Sequence, residues 1–206
     1  MNLLERAWAA FEAEDFAKAE RDFRHARLEP HLALQARCGL VYVFARTGRF
    51  EAARSECHLL RLEAQSQNNP SNEYVALHQL GMVERMAGEL QTALGIFQQE
   101  RQMIATLKNP PLAVSANAYE QGIICGKLGR YPEAREFLSV ALEQARLCGD
   151  PIAEACAYRG LGEIATNPTM KKAMFLQSLA AFQRGGDAIG AAEIEDLLLE
   201  KPILPH

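Results

Sequence analysis

Small and apolar residues are spaced along this chain as they are on the buried faces of helices, and the spacing repeats. Between Ser115 and Asp150, the residues Tyr131, Leu138 and Ala141 form an apolar stripe at helical intervals. Gly122, on the helix before them, precedes Ala134 by twelve residues across the turn Leu128-Gly129-Arg130-Tyr131. Two residues of so little bulk let paired helices approach closely, and larger side chains fill the space around the contact. Alanines in the place of Ala134 recur at Ala19, Ala53, Ala93 and Ala173, with intervals of 34, 40, 41 and 39 residues along the series. Each follows by three an apolar residue just after a turn: Phe16, Phe50, Leu90, Tyr131 and Met170. Four residues beyond each alanine stand Phe23, Cys57, Phe97, Leu138 and Gln177. Twelve upstream lie Ala7, Val41, Gly81 and Gly122, while Gly162 precedes Ala173 by eleven. A period of this size is the mark of a repeat array in which each unit needs its neighbours to cover its apolar face.

Punctuation fits the same frame. Gly48, Gly88 and Gly129 stand where a helix end adopts the left-handed conformation that other residues reach only at a cost. Glu14-Asp15 and Thr166-Asn167-Pro168-Thr169 replace that glycine turn in the outer repeats. Asn69-Pro70, Asn109-Pro110 and Asp150-Pro151 each join a capping side chain to a proline suited to the first helical position, and Glu29-Pro30 serves the first junction. These signals predict helices over about 2–14, 16–28, 31–47, 50–66, 70–87, 90–106, 111–128, 131–147, 151–165, 170–184 and 187–199. The expected organisation is a single array over 1–200. Its repeats fall at about 2–29, 30–68, 69–108, 109–148 and 149–185, followed by a capping helix at 187–199 and a tail at 201–206. In the capping helix, Ile189, Ile194, Leu197 and Leu198 form one face and Glu193, Glu195 and Asp196 the other.

Composition narrows the function. Lys plus Arg number 22 against 26 Asp plus Glu, a net charge of −4, which argues against a protein devoted to coating nucleic acid or an anionic membrane. Charges at Glu5 and Arg6 interrupt the N-terminus where a secretion signal is apolar, and the longest uncharged run, 109–119, has only eleven residues. A soluble, cytoplasmic protein is expected. Cys38, Cys57, Cys125, Cys148 and Cys156 are an odd set without a Cys-x-x-Cys pair, expected to be reduced thiols packed between helices.

A small residue, a glycine turn, an aromatic and then alanine, recurring in register, resembles the tetratricopeptide repeat family over residues 16–184. Leu80-Gly81, Ala87-Gly88-Glu89-Leu90, Ala93 and Phe97 carry the resemblance, as do Gly122, Leu128-Gly129-Arg130-Tyr131, Ala134 and Ala141. Intervals near 40 depart from the commoner 34 and resemble the longer-repeat members, which include kinesin light chains, polarity adaptors and peptide-pheromone receptors. The resemblance implies an all-α, right-handed superhelical solenoid of about five hairpins plus a capping helix, with the first helix of each pair lining a concave groove. Most members bind peptides or proteins. One subfamily clamps a C-terminal carboxylate with Lys, Asn and Arg, but the corresponding positions here are Cys38, Gly39 and Tyr42, then Val75, His78 and Met82, so that clamp is missing. The receptors of the family carry an effector ahead of the repeats, whereas the pattern here starts close to Met1.

Catalytic signatures are absent from the sequence. Gly122-Ile123-Ile124-Cys125-Gly126-Lys127-Leu128 is one residue short of a phosphate-binding loop, ends in Leu and falls within a helix. His25, His31, His58, His78 and His206 are scattered over the pattern without metal-ligand spacing. No catalytic residue, metal or cofactor is therefore expected. Trp8, beside Phe11, is expected to seal the N-terminal end of the array or to anchor a partner.

If the small residue of each first helix faces its second helix, the next residue and those three to five further on look into the groove. That stripe holds Tyr42 and Arg46, Met82 and Arg85, and Ile123 and Lys127, with Arg159 and Glu163 near it and His78 and Tyr119 alongside. A row of cations in a protein of net charge −4 points to an acidic protein or peptide segment as ligand. The expected function is thus a non-catalytic binding scaffold. A peptide-sensing module acting on a separate effector, and a self-assembling structural protein in which a second copy is the partner, are the rivals.

Overall fold

The computed structural model describes residues 2–108 and 110–199, and over them the protein is all α-helical, with eleven helices and no strand. They are α1 (Leu3–Glu12), α2 (Phe16–Ala26), α3 (Ala33–Arg46), α4 (Phe50–Ser66), α5 (Pro70–Met86), α6 (Leu90–Thr106), α7 (Pro111–Lys127), α8 (Tyr131–Cys148), α9 (Pro151–Glu163), α10 (Pro168–Gly185) and α11 (Ala188–Leu199). The tail expected at 201–206 lies outside the described residues. None of the described helices is long and apolar enough to cross a membrane.

Helix ends follow local chemistry. Gly48, Gly88 and Gly129 close α3, α5 and α7 at φ of +73°, +87° and +74°, and Glu14 does the same work after α1 at +57°. Asn2 caps α1 in a reciprocal pair with Glu5, and Asp15, Asn69, Asp150 and Asn167 each accept from a backbone N–H in the next helix's first turn. The junctions between repeats also pass through left-handed residues: Asn68 and Gly149 stand immediately before the caps Asn69 and Asp150, and Lys108 before α7. That helix opens at Pro111 behind Pro110 without a side-chain cap, and Asn109 of the expected capping pair lies outside the described residues.

The chain divides into two compact units, Met1–Met103 and Ile104–His206. In the first, α1 pairs with α2, α3 with α4, and α5 meets α6 through Gly81 and Phe97, while α1, α3 and α5 touch in turn. Large side chains fill the glycine sites. A methyl built on Gly81 would lie 2.7 Å from the Phe97 ring, and one on Gly39 would strike Phe23. Phe23, Leu40, Val41 and Val43 are fully buried, and Trp8, Phe11, Phe16 and Tyr42 pack around this core. Val41, without the small side chain that Gly122 provides in its own repeat, leaves the close approach to Gly39, which receives the helix before it.

In the second unit, α7 pairs with α8, α9 with α10, and α11 lies on α10. Leu138 fills two glycine sites at once: added methyls at Gly122 and Gly160 would each come within 2.6 Å of it. The alanine of the sequence pattern supplies its backbone instead, with Ala134 O 3.3 Å from the same point on Gly122. Phe182 fills the site at Gly190, and Ile194 is fully buried beside it.

The fifth hairpin departs from the expected register. Asn167 caps and Pro168 opens α10, so the helix starts two residues before the predicted position and Thr166–Thr169 is not wholly turn. Gly162 consequently receives Phe175, 2.6 Å from a built methyl, and Ala173, expected at the close contact, is exposed.

Candidate functional site

The first helices present three kinds of surface: one against their own second helix, one against neighbouring hairpins and one that is open. The expected groove residues are distributed over all three.

Met82 and Ile123 do not offer apolar contact to a ligand. Met82 is 5% exposed within the core that holds Val41 and Ala45, and Ile123, at 7%, approaches Gly160 of α9. Both are placed inward because a first helix in the interior of an array is covered on two sides, which leaves a narrower open stripe than a free amphipathic helix has. His78 is also turned inward. Its Nδ1 lies 3.0 Å from Glu100 Oε1 of α6, and its ring meets Phe97 edge-on. Glu100 is fully buried, and this contact lies on the α5–α6 seam.

Arg46 and Arg159 are answered by acids. Arg46 is exposed and reaches Glu14 at 3.3 Å, joining the end of α3 to the turn after α1. Arg85 is partly buried near the end of α5, and Lys127 is exposed as the last residue of α7. Arg159 is built into the second unit: its guanidinium donates to the Tyr119 hydroxyl at 2.7 Å and to Glu193 Oε2 of α11 at 2.9 Å, with Glu163 at 3.9 Å. Burial opposes its charge, yet Tyr119, Cys156 and Glu163 hold the guanidinium above its ordinary pKa. Burial also pushes the Tyr119 phenol up to about 12, against the lowering effect of Arg159. Arg159 therefore ties three alternate helices, α7, α9 and α11, and belongs to the framework of this unit rather than to an open row of charge.

What remains open on the first unit is an aromatic surface that the stripe rule only touched. Trp8, Phe11 and Tyr42 are half-buried, with ring centroids 5.6 Å apart for Trp8 and Phe11, 5.8 Å for Trp8 and Tyr42 and 6.2 Å for Phe11 and Tyr42. Each pair is edge-on, the arrangement that ring quadrupoles favour. Trp8 also rests on the buried Phe23 at 5.0 Å, so its inner edge seals the core while its outer edge reaches solvent.

Both oxygens of Glu84 accept from Arg54 of α4, at 2.7 Å each. Cysteine chemistry is subdued: burial pushes the Cys38 thiol up to about 11 and raises those of Cys57, Cys125 and Cys156. Among the described residues, no group of three or more His, Cys, Asp or Glu side chains is arranged to hold a metal ion.

With this architecture in view, the solved structures supply a likeness. The chain shares the fold of BtubC. That crystal structure, of BtubC (BKLC) from P. vanneervenii, superposes with a TM-score of 0.64 over 96% of this chain and 90% of the other, at 15% sequence identity. No family model matches the sequence, and no curated protein does.

Proposed function

We propose that the protein is a non-catalytic scaffold of the tetratricopeptide type, whose hairpins stack as a right-handed superhelix and whose first helices bind a segment of another protein. The single observation that carries this is the half-exposed cluster of Trp8, Phe11 and Tyr42 beside the exposed Arg46–Glu14 pair. Aromatic rings held rigid by one another present contact area at little entropic cost, and such residues dominate protein interfaces. Arg46 and Glu14 are 52% and 72% exposed, and an ion pair so open to water contributes at most about 1 kcal/mol. An incoming carboxylate can replace Glu14 at that small cost, which supports an acidic segment as ligand. Lys127 is an exposed cation at the end of α7 in the second unit. The repeat pattern and the likeness in fold over nearly the whole chain support the superhelical arrangement.

Reversing two exposed charges tests the proposal. The variant carrying Arg46→Glu and Lys127→Glu should retain its circular dichroism and melting temperature while losing capture of its partner from native lysate. Undiminished capture by the folded variant would exclude an acidic ligand on the first helices.

A further inference from the structure

Among the described residues, α11 repeats the contact of a first helix and leaves its side away from α10 exposed. In the hairpin α9–α10, Gly160 of α9 receives Leu138 from the helix before and Gly162, two residues on, receives Phe175 from the helix after. α11 repeats the first of these contacts, with Gly190 receiving Phe182 of α10. Two residues on stands Ala192, again small but exposed. Around it, Ile189, Ala192, Asp196 and Leu199 follow at helical spacing on the exposed side; Ile189 is 54% and Leu199 78% exposed. Ile194 and Ala191 are buried on the opposite side against α10.

Charge says what covers this face. The twelve residues of α11 contain Glu193, Glu195 and Asp196 and no Lys or Arg. Glu193 is engaged by Arg159, whereas Glu195 and Asp196 are exposed toward the helix's C-terminal end. There the aligned peptide dipoles are already negative, so carboxylates are disfavoured and a cation alongside is favoured. A base stands in the last turn of α2, α3, α5, α7, α8 and α10, and none does in α1, α4, α6, α9 or α11, of which α11 ends with both Glu195 and Asp196 exposed. A second copy of α11 would set acid against acid.

We propose that α11 is a docking site for a basic amphipathic helix of a partner protein, which places a large apolar side chain over Ala192 and Lys or Arg beside Glu195 and Asp196. This site is separate from the aromatic surface of the first unit and stands or falls independently of it.

The test is selection from a display library of random 18-residue helical peptides against the full chain, with the Ala192→Trp chain in parallel. Peptides enriched on the parent should be basic on both sides of an apolar stripe. Their affinity should fall about ten-fold or more on Ala192→Trp, and by a similar factor on Glu195→Lys with Asp196→Lys. All three positions are exposed, so the variants should keep the parent's circular dichroism. No enrichment, enrichment of acidic peptides, or affinity indifferent to Ala192→Trp would overturn the proposal. So would self-association in sedimentation that Ala192→Trp abolishes, because the occupant would then be a second copy.

Discussion

The two units build the same hairpin with different materials. In Met1–Met103 the glycine sites are filled by phenylalanines, Phe23 at Gly39 and Phe97 at Gly81, and aromatic rings continue outward through Trp8 and Tyr42. Its buried carboxylates Asp22 and Glu84 are answered by Arg6 and Arg54, and the partly buried Glu56 by Arg27 and Arg37, all from outside the carboxylate's own helix. In Ile104–His206 phenylalanines fill only the later glycine sites, Phe175 at Gly162 and Phe182 at Gly190, while Leu138 fills Gly122 and Gly160, and Ala134, Ala141, Ala145, Ala155 and Ala157 are fully buried along the seams. Hydroxyls clasp backbone there: Ser115 Oγ donates to the Ala141 carbonyl across α7–α8, and Ser178 Oγ to the Ala155 carbonyl across α9–α10, each at 2.8 Å. The donor sits on the first helix in one hairpin and on the second in the next. Hydroxyl-to-carbonyl bonds thus join both hairpins of the second unit, whereas the ion pairs of Asp22, Glu56 and Glu84 join helices in the first.

The contrast predicts opposite sensitivities. Phe23→Ala should be the most damaging change, because it empties a fully buried ring site that Gly39 cannot refill; a loss of about 3–5 kcal/mol in urea unfolding is expected. Arg54→Ala should cost about 3 kcal/mol by leaving the Glu84 carboxylate buried without its bidentate partner. Adding Glu84→Leu to that variant should restore much of the loss. In the second unit the sign of the volume change reverses. Ala141→Leu should lower stability by about 1–3 kcal/mol through overpacking, while Glu133→Ala, at an exposed position, should leave the unfolding midpoint close to the parent's in the same assay. Ser178→Ala should cost about 1 kcal/mol, the smallest of the losses expected at buried positions, as a single neutral hydrogen bond is lost. If Ala141→Leu were harmless and Ser178→Ala severe, close packing would not be what distinguishes the second unit.

Helix positions were legible because their ends carry unambiguous chemistry. Asn69-Pro70 and Asp150-Pro151 announce caps and first turns, and Gly48, Gly88 and Gly129 announce stops. The fifth hairpin was misregistered for an instructive reason: Asn167-Pro168 has the same form as those capping pairs but stands where the pattern expects a turn. The candidate site was less legible. His78 lies three residues before Gly81, on the same helical side, so its direction toward α6 was contained in the spacing. The inward placement of Met82 and Ile123 was not, because it depends on how neighbouring hairpins cover a first helix. Arg159 shows a signal that period analysis could use: Tyr119 precedes it by 40 residues and Glu193 follows it by 34, both close to one repeat.

Whether the open surface of the first helices is where a partner sits can be read directly by photo-crosslinking. A photoreactive phenylalanine analogue placed at Arg46 or at Lys127 in the full chain, both exposed at the ends of first helices, should form an adduct with the same partner. The analogue at Leu62, exposed on the second helix α4, should form none. Adducts from position 62 with none from 46 or 127 would contradict binding by the first helices.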